Sequence, residues 1–242
     1  MTYSYRYDGG SSLYLRLCGE LLDTGREVTT RGAPVCELRS VQLEITDPAE
    51  VHVLRTAMKP SLTVAATETM HLIGGISGLE QLNLASKGQH ARYADRDRLR
   101  NAYGPRAHFQ LLMAERLLLD DPGTRQAGVM IWRGNETTFF SDVPCATHLH
   151  FYRRDGKLEL DVSMRSNSIL HGFPLDIMIF SALQQAMAAS LGIPAGAYRH
   201  HAGSLHADKD DLGRVEYIIS EGISDHATGM TQIPLPVPSW EL

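Results

Sequence analysis

The stretch Thr147-His148-Leu149-His150-Phe151-Tyr152-Arg153-Arg154-Asp155-Gly156-Lys157-Leu158-Glu159-Leu160-Asp161-Val162-Ser163-Met164-Arg165 decides the fold class. Thr147, Leu149 and Phe151 alternate with His148, His150 and Tyr152; Leu158, Leu160, Val162 and Met164 alternate with Glu159, Asp161, Ser163 and Arg165. A period of two marks strands with one buried face and one wet face. Asp155-Gly156, between Arg154 and Lys157, supplies the turn, so the segment predicts a hairpin. Shortly after it, Ile177 to Leu191 is apolar around most of its circumference. That pattern predicts a long, central helix, stopped by Gly192 and Pro194.

Outward from this core, Leu13, Leu15, Leu17, Leu21 and Leu22 before Gly25 predict a short amphipathic helix. Val35, Leu38, Val41, Leu43 and Ile45 predict a strand that ends at Asp47-Pro48. Leu62 to Ile73 and Ala107 to Leu119 read as helices, the second closed by Asp120-Asp121-Pro122-Gly123; Gln126 to Trp132 reads as a buried strand. The tail from Gly222 is rich in Pro and Gly and predicts irregular chain. Hairpins with interspersed helices point to an α+β fold, taken as a single domain over residues 1–242.

A chain of 242 residues with 43% hydrophobic and 21% charged residues can bury a sizeable core. This balance excludes a disordered, collagen-like or disulfide-scaffold protein. Lys and Arg number 23 against 28 Asp and Glu, a net charge of -5, which argues against a broad nucleic-acid surface. An anionic ligand would need a local cluster of arginines. The odd set Cys18, Cys36 and Cys145 suggests reduced thiols and a cytoplasmic location. The first residues carry no apolar secretory segment and no apolar run is long enough to span a membrane, so no membrane partner is expected.

Cys145, after Pro144 at the mouth of the hairpin, is either a nucleophile activated by nearby cations or a buried structural thiol. Arg165-Ser166 could grip a phosphate or be a solvated strand end. Arg31-Gly32, in a loop after the first helix, and Arg125, after Pro122-Gly123-Thr124, are routine surface arginines when taken singly. The histidines of His200-His201-Ala202-Gly203-Ser204-Leu205-His206 and of His148-Leu149-His150 lack carboxylate or thiolate partners at ligand spacing, so no metal is expected. A histidine there suits a substrate hydroxyl better. Glu68, within Val64-Ala65-Ala66-Thr67-Glu68-Thr69-Met70, either faces solvent or is a general acid/base held in an apolar site.

In chain order these residues resemble the thymidylate synthase family, which includes the cytidylate hydroxymethylases. Gly25-Arg26-Glu27-Val28-Thr29-Thr30-Arg31-Gly32 resembles its phosphate loop, and Glu68 followed by Gly75 its catalytic-glutamate helix. Ala102-Tyr103-Gly104-Pro105-Arg106 resembles its Tyr-Gly segment, and Asp121-Pro122-Gly123-Thr124-Arg125-Gln126 its Asp-Pro-x-Ser-Arg-Arg segment. Asp142-Val143-Pro144-Cys145 resembles the nucleophile motif. Met164-Arg165-Ser166-Asn167, Gly172-Phe173-Pro174-Leu175-Asp176-Ile177 and Ala202-Gly203-Ser204-Leu205-His206 resemble the phosphate, base and sugar segments. The likeness runs from about Ser11 to His206.

The resemblance implies a mixed sheet packed on the central helix, and a pyrimidine nucleotide whose C6 is attacked by Cys145. Carbon C5 then takes a one-carbon unit from 5,10-methylenetetrahydrofolate. It implies that Arg31, Arg165 and Ser166 hold the 5′-phosphate and that Arg125 reaches in from the second subunit of a homodimer. Glu68 would organise water and proton transfers, Tyr103 would lie against the substrate, and His206 would bind a sugar hydroxyl. The synthases carry Asn where this sequence has Asp176. An amide matches uracil; a carboxyl can accept from the cytosine N4 amine and, when protonated, donate to N3. Asp176 therefore points to CMP or dCMP and to 5-hydroxymethylation, unless it is simply the N-cap of the helix that follows.

Several positions depart from the family pattern. Ser168 stands where a folate-binding Asp is expected. His171 and Leu175 replace Leu and Phe beside Gly172, so the cofactor site is remodelled. Ala91-Arg92-Tyr93-Ala94-Asp95 lies where a Trp pair is usual, Ala146 replaces a His and Gln126 an Arg. Asp208 stands where a sugar-binding Tyr is expected and could accept from a ribose diol. A divergent thymidylate synthase acting on dUMP and a catalytically inactive nucleotide-binding homologue are the alternatives.

Overall fold

The computed structural model describes residues 3–7, 10–50, 56–88, 90, 94–95, 97–99, 101–134 and 143–223. The elements in order are β1 (Tyr3–Tyr7), α1 (Gly10–Thr24), β2 (Arg26–Thr30), β3 (Ala33–Ile45), α2 (Leu62–Ile73) and α3 (Glu80–Ser86). A small pair, β4 (Ala94–Asp95) and β5 (Arg98–Leu99), precedes α4 (Gly104–Asp120) and β6 (Gly128–Met130). Then come β7 (Ala146–Arg154), β8 (Lys157–Met164), β9 (Asn167–Ser168), α5 (Phe173–Ser190), β10 (Ala195–Asp208) and α6 (Leu212–Glu221).

The main sheet has the order β1-β3-β10-β8-β7-β6, with β2 added to β3 and β9 to β10. β10 runs parallel to β8 and antiparallel to β3, so the sheet is mixed. The predicted hairpin forms, with Arg154 opposite Lys157 and positive φ at Asp155 and Gly156. Leu158, Leu160, Val162 and Met164 are buried, whereas Glu159, Asp161 and Ser163 on the other face are only half-buried. One continuous core joins these inward residues to α1, α4 and α5.

Helix α5 is buried on nearly all sides, packed between α2 and strands β8 and β10, as its apolar circumference requires. Its buried Gln184 donates to the carbonyls of Leu158 and Gly196 at 2.8 and 3.0 Å. These carbonyls flank a register shift between β8 and β10, where regular pairing is interrupted.

Four sequence expectations are corrected. Helix α5 begins at Phe173 rather than Ile177, because Pro174 fits the first turn, where its missing N–H costs nothing. Asp176 is therefore inside the first turn, Gly172 holds the cap place, and the capping role fails. The stretch around Val129 is not a fully buried strand. β6 is a short strand at the end of the sheet, with Val129 buried between exposed Gly128 and Met130. Gln110 on α4 ties both the N–H and the C=O of Met130, each at 2.9 Å. Arg31 and Gly32 form the turn between β2 and β3, with φ of 50° and 83°, rather than a loop leaving the first helix. The irregular tail, beyond Ile223, and Ala91-Arg92-Tyr93 lie outside the described residues. Among the described residues no helix is long and apolar enough to cross a membrane.

Candidate active site

Cys145 lies just before β7 and Arg165 just after β8. The turn alone does not make them opposite. Through most of the hairpin the register set at Arg154 and Lys157 would place Cys145 one residue off Arg165, but it shifts at Thr147, so that Ala146 faces Met164. A bulge of this kind re-aims the residues beyond it. Thr147 O accepts from both Ile131 and Trp132 backbone N–H at 3.0 Å, which holds the bulge. The Arg165 N–H then donates to Cys145 O at 2.8 Å.

The Arg165 guanidinium is clamped beside Cys145. Nε donates to Pro144 O at 2.9 Å and Nη2 to Val143 O at 2.8 Å. The Trp132 ring lies 5.7 Å below its centre, a cation–π contact. Nη2 is 3.8 Å from the sulfur of Cys145, where a fixed cation stabilises negative charge on sulfur. Trp132, read from sequence only as the end of a strand, positions this arginine.

A cavity of about 290 Å³ opens beside Cys145, at the small end of ligand pockets. Leu72, Ile76, Leu82 and Ile179 give it an apolar wall; Glu68, His71, His90 and Asn101 line it with polar groups. Glu68 is neither solvated nor isolated: its carboxylate is 2.9 Å from His90 Nε2 and both side chains are largely covered. Burial holds the His71 imidazole below its ordinary range, against the opposing pull of Glu68, so His71 is neutral. Among the described residues His71 Nδ1 and His90 Nδ1 are buried without a protein partner. His71 and His90 were not apparent from sequence.

Tyr103 enters this cavity because α4 approaches the end of α2 very closely. A Cβ at Gly104 would fall 2.2 Å from His71 O. The Tyr103 ring stacks on Phe180, and its hydroxyl accepts from the buried Ala146 N–H at 3.2 Å. Burial, then the charges of Asp176 and Cys145, push this phenol well above its ordinary value, so it stays protonated. Tyr103→Phe leaves the Ala146 N–H unsatisfied. The expected cost is about 1–3 kcal/mol, read as a melting temperature lower by several degrees; an unchanged melting temperature overturns this role.

Asp176 Oδ2 accepts from Asn167 Nδ2 at 2.7 Å. Burial, and next the charge of Glu68, push its carboxyl up to about 7, against the Asn167 bond, which favours the ionised form. Cys145, Asp176 and Glu68 all bear on the Tyr103 hydroxyl, so the sequence-predicted nucleophile, base-reading carboxyl and catalytic glutamate converge.

Other predicted residues lie outside this convergence. Ser166 follows Arg165 at the end of β8. Arg39, not singled out from sequence, donates to Gly203 O at 2.8 Å, and the Gly203 backbone packs against Arg165 O. His206 is half-buried on β10 with Nδ1 3.5 Å from Ser204 O. Asp208, at the end of β10, is exposed. Ser168 Oγ accepts from His171 N, and His171 pairs with Asp211 at 3.4 Å. Gly172 holds the cap place of α5 and Leu175 lies in its first turn. Arg31 and Arg125 are both exposed, Arg31 beside β3 and Arg125 beside β6, toward opposite edges of the sheet.

A mixed sheet wrapped on a buried helix, with a cysteine and an arginine facing each other at a bulged hairpin end, defines the class. The fold superposes on thermostable thymidylate synthase A from Bacillus subtilis with a TM-score of 0.79, at 18% identity, over 89% of this chain and 85% of that one. Residues 12–230 match the thymidylate synthase family, and the chain belongs to it. It is 28% identical to a deoxyuridylate hydroxymethyltransferase of Bacillus phage SP01, over 87% of this chain and 60% of that protein. Identity to the deoxyuridylate hydroxymethyltransferase of Delftia phage PhiW-14 is also 28%, over 76% and 56%. A thymidylate synthase of Bacillus licheniformis is 30% identical over 89 residues, 37% of this chain and 32% of that one. The chain thus spans 60% or less of the length of these relatives.

Proposed function

We propose that this chain is a C5 one-carbon transferase of pyrimidine nucleotides that hydroxymethylates CMP or dCMP. Asp176 carries the cytosine reading. Its Oδ2 is taken by Asn167, so Oδ1 is left for the base, where a carboxylate accepts from the N4 amine. Family membership supports the reaction class.

Cys145 adds to C6, and the electron pair of the C5–C6 double bond moves to C5, which becomes the nucleophile. Arg165 stabilises the thiolate before attack and, with Ser166 and Arg31, holds the 5′-phosphate. His206 and Asp208 take the sugar. Expulsion of the thiolate after C5 has lost its proton restores the ring.

The residues around the cavity fit 5,10-methylenetetrahydrofolate: an apolar wall suits one face of a flat ring, and the buried Nδ1 atoms of His71 and His90 suit its polar edge. Ser168, His171, Gly172 and Leu175, just before and within the first turn of α5, are proposed for its outer part. When bound, this folate supplies the carbon at the formaldehyde level. Glu68 and His90, 2.9 Å apart, can hold and deprotonate a water, and this polar wall supports hydroxymethylation over methylation.

Arg125 is proposed to act across a homodimer. With β10, β8 and β7 between β3 and β6, roughly 19 Å of sheet separates its strand from that of Arg31 within one chain. A monomer in solution overturns this. Three cysteines without a disulfide suit a reducing, cytoplasmic compartment.

The names of the two phage relatives favour a second reading, hydroxymethylation of dUMP. Tritium release from 5-tritiated CMP, dCMP, UMP and dUMP separates the two, with the product mass distinguishing hydroxymethyl from methyl. Release from CMP or dCMP is expected. Release from uracil nucleotides alone overturns the cytosine reading, and nucleotide binding without any release overturns the enzyme.

A further inference from the structure

Behind Asp176 runs a chain of buried polar groups that the reaction does not use. Tyr198 Oη is 2.8 Å from His200 Nδ1, His200 Nε2 is 2.9 Å from Asn167 Oδ1, and Asn167 Nδ2 is 2.7 Å from Asp176 Oδ2. Tyr198, His200 and Asn167 are buried. Tyr198 and His200 are two apart on β10 and so share its inward face. The His200 and Phe173 rings also meet in a T-shaped contact, and the Phe173 ring stacks on Tyr14. Tyr198, His200 and Asn167 thus form a single file of buried polar side chains that ends on the carboxyl.

The direction of this file follows link by link. Burial, and then His201, push His200 down to about 3, so the ring is neutral and has one N–H. Asn167 donates to Asp176 through Nδ2, so its Oδ1 faces His200 and must receive a proton. That proton can come only from Nε2–H. Nδ1 is then bare and accepts from the Tyr198 hydroxyl, which burial and Asp176 keep protonated. The backbone also respects the last link: a Cβ on Gly172 would lie 3.0 Å from Asn167 Nδ2 and 3.1 Å from Asp176 Oδ2.

We infer that Tyr198, His200 and Asn167 are positioning residues that set base selectivity, by holding a donor on Asp176 Oδ2 so that only Oδ1 reads position 4 of the pyrimidine. This rests on the proposed contact between Asp176 and the base. As a carboxylate, Oδ1 accepts from an amino group. With Asn at position 176, the same lock would turn the carbonyl toward Asn167 and leave the NH2 as a donor for a keto oxygen. Without the lock, either group turns freely, and a protonated carboxyl with both oxygens available satisfies uracil as well as cytosine. A purely structural role for the file predicts lower stability but no change in selectivity.

The test is the ratio of kcat/KM for cytosine over uracil nucleotides, by tritium release, in the full chain. Asn167→Leu and His200→Leu are expected to lower this ratio about tenfold or more. His200→Gln can accept from Tyr198 and donate to Asn167, and is expected to keep the ratio within about threefold. In a double-mutant cycle, the switch caused by Asp176→Asn should shrink at least about tenfold in the Asn167→Leu background. Ratios unchanged by Asn167→Leu, or additive effects, overturn the inference while leaving the function intact. No release from any nucleotide by the unmodified protein overturns both. Nitrogen-15 NMR of histidine-labelled protein needs no stable leucine variant. With the His200 signal assigned by its loss in His200→Gln, an Nε2–H ring supports the file and an Nδ1–H ring overturns it.

Discussion

Replacing Cys145 with alanine is expected to abolish tritium release from every nucleotide, by about 10⁴-fold or more, since removing a covalent nucleophile ends the route that depends on it. Nucleotide affinity should change by no more than about threefold, because the phosphate grip is assigned to arginines and a serine. No second thiol can substitute. Cys18 is buried against Tyr14, with its thiol pushed up to about 12, chiefly by burial. Cys36 is raised by burial and by Glu27, and its sulfur donates to Leu21 O. Among the described residues, Cys145 is the one of these three with a guanidinium fixed beside its sulfur. Release above about 1% of the unmodified rate, with intact fold, overturns the assignment; a residual of that size is far above what background chemistry supplies once a nucleophile is gone.

What the sequence made legible was what is local. The hairpin follows from alternation and Asp155-Gly156, and α5 from an apolar circumference, because both signals lie within a few residues of the structure they specify. The pairing of Cys145 with Arg165 needs the bulge at Thr147, which rests on backbone bonds from Ile131 and Trp132, remote in sequence. Trp132 under Arg165 and His90 against Glu68 are contacts of the same remote kind, and no periodicity announces them. Ala127, Val129 and Ile131 are all apolar and suggest a fully buried strand, but their alternation with exposed Gly128 and Met130 marks a strand with one face exposed. The resemblance weighs Asp176 as a base-reading group against a helix cap; the start of α5 at Phe173 removes the cap, and the bond from Asn167, nine residues away, is not foreshadowed by any local pattern. The resemblance brought Cys145, Glu68 and Asp176 together in advance, and their convergence on Tyr103 is what the fold adds.

Asp176→Asn is expected to turn preference from cytosine toward uracil nucleotides, changing the ratio of kcat/KM by about 10²-fold or more, because a polar mismatch at a buried base edge leaves groups unpaired. The change replaces an acceptor at the Oδ1 position by a donor, and little else, since Asn and Asp have the same shape. Its pH behaviour supplies a second check with a definite sign. The carboxyl is held up to about 7 in the folded protein by burial and by Glu68, well above its ordinary value. Below that pH it is protonated and Oδ1–H can donate to a uracil O4; above it, Oδ1 can only accept. The cytosine preference of the unmodified protein should therefore rise as pH rises through about 7, and the Asn variant should show no such rise. Stability moves the other way. Between the ordinary carboxyl range and about 7 the folded chain holds a proton that the unfolded chain has lost, so this group makes folding less favourable as pH rises across that window. Above it, both forms are ionised and the penalty is constant. The Asn variant lacks this slope, so its stability relative to the unmodified protein should improve from acid to neutral pH in denaturant titrations. A base preference that is unchanged by the substitution, while that stability slope disappears, would leave Asp176 as a buried acid of the fold and remove it from substrate recognition.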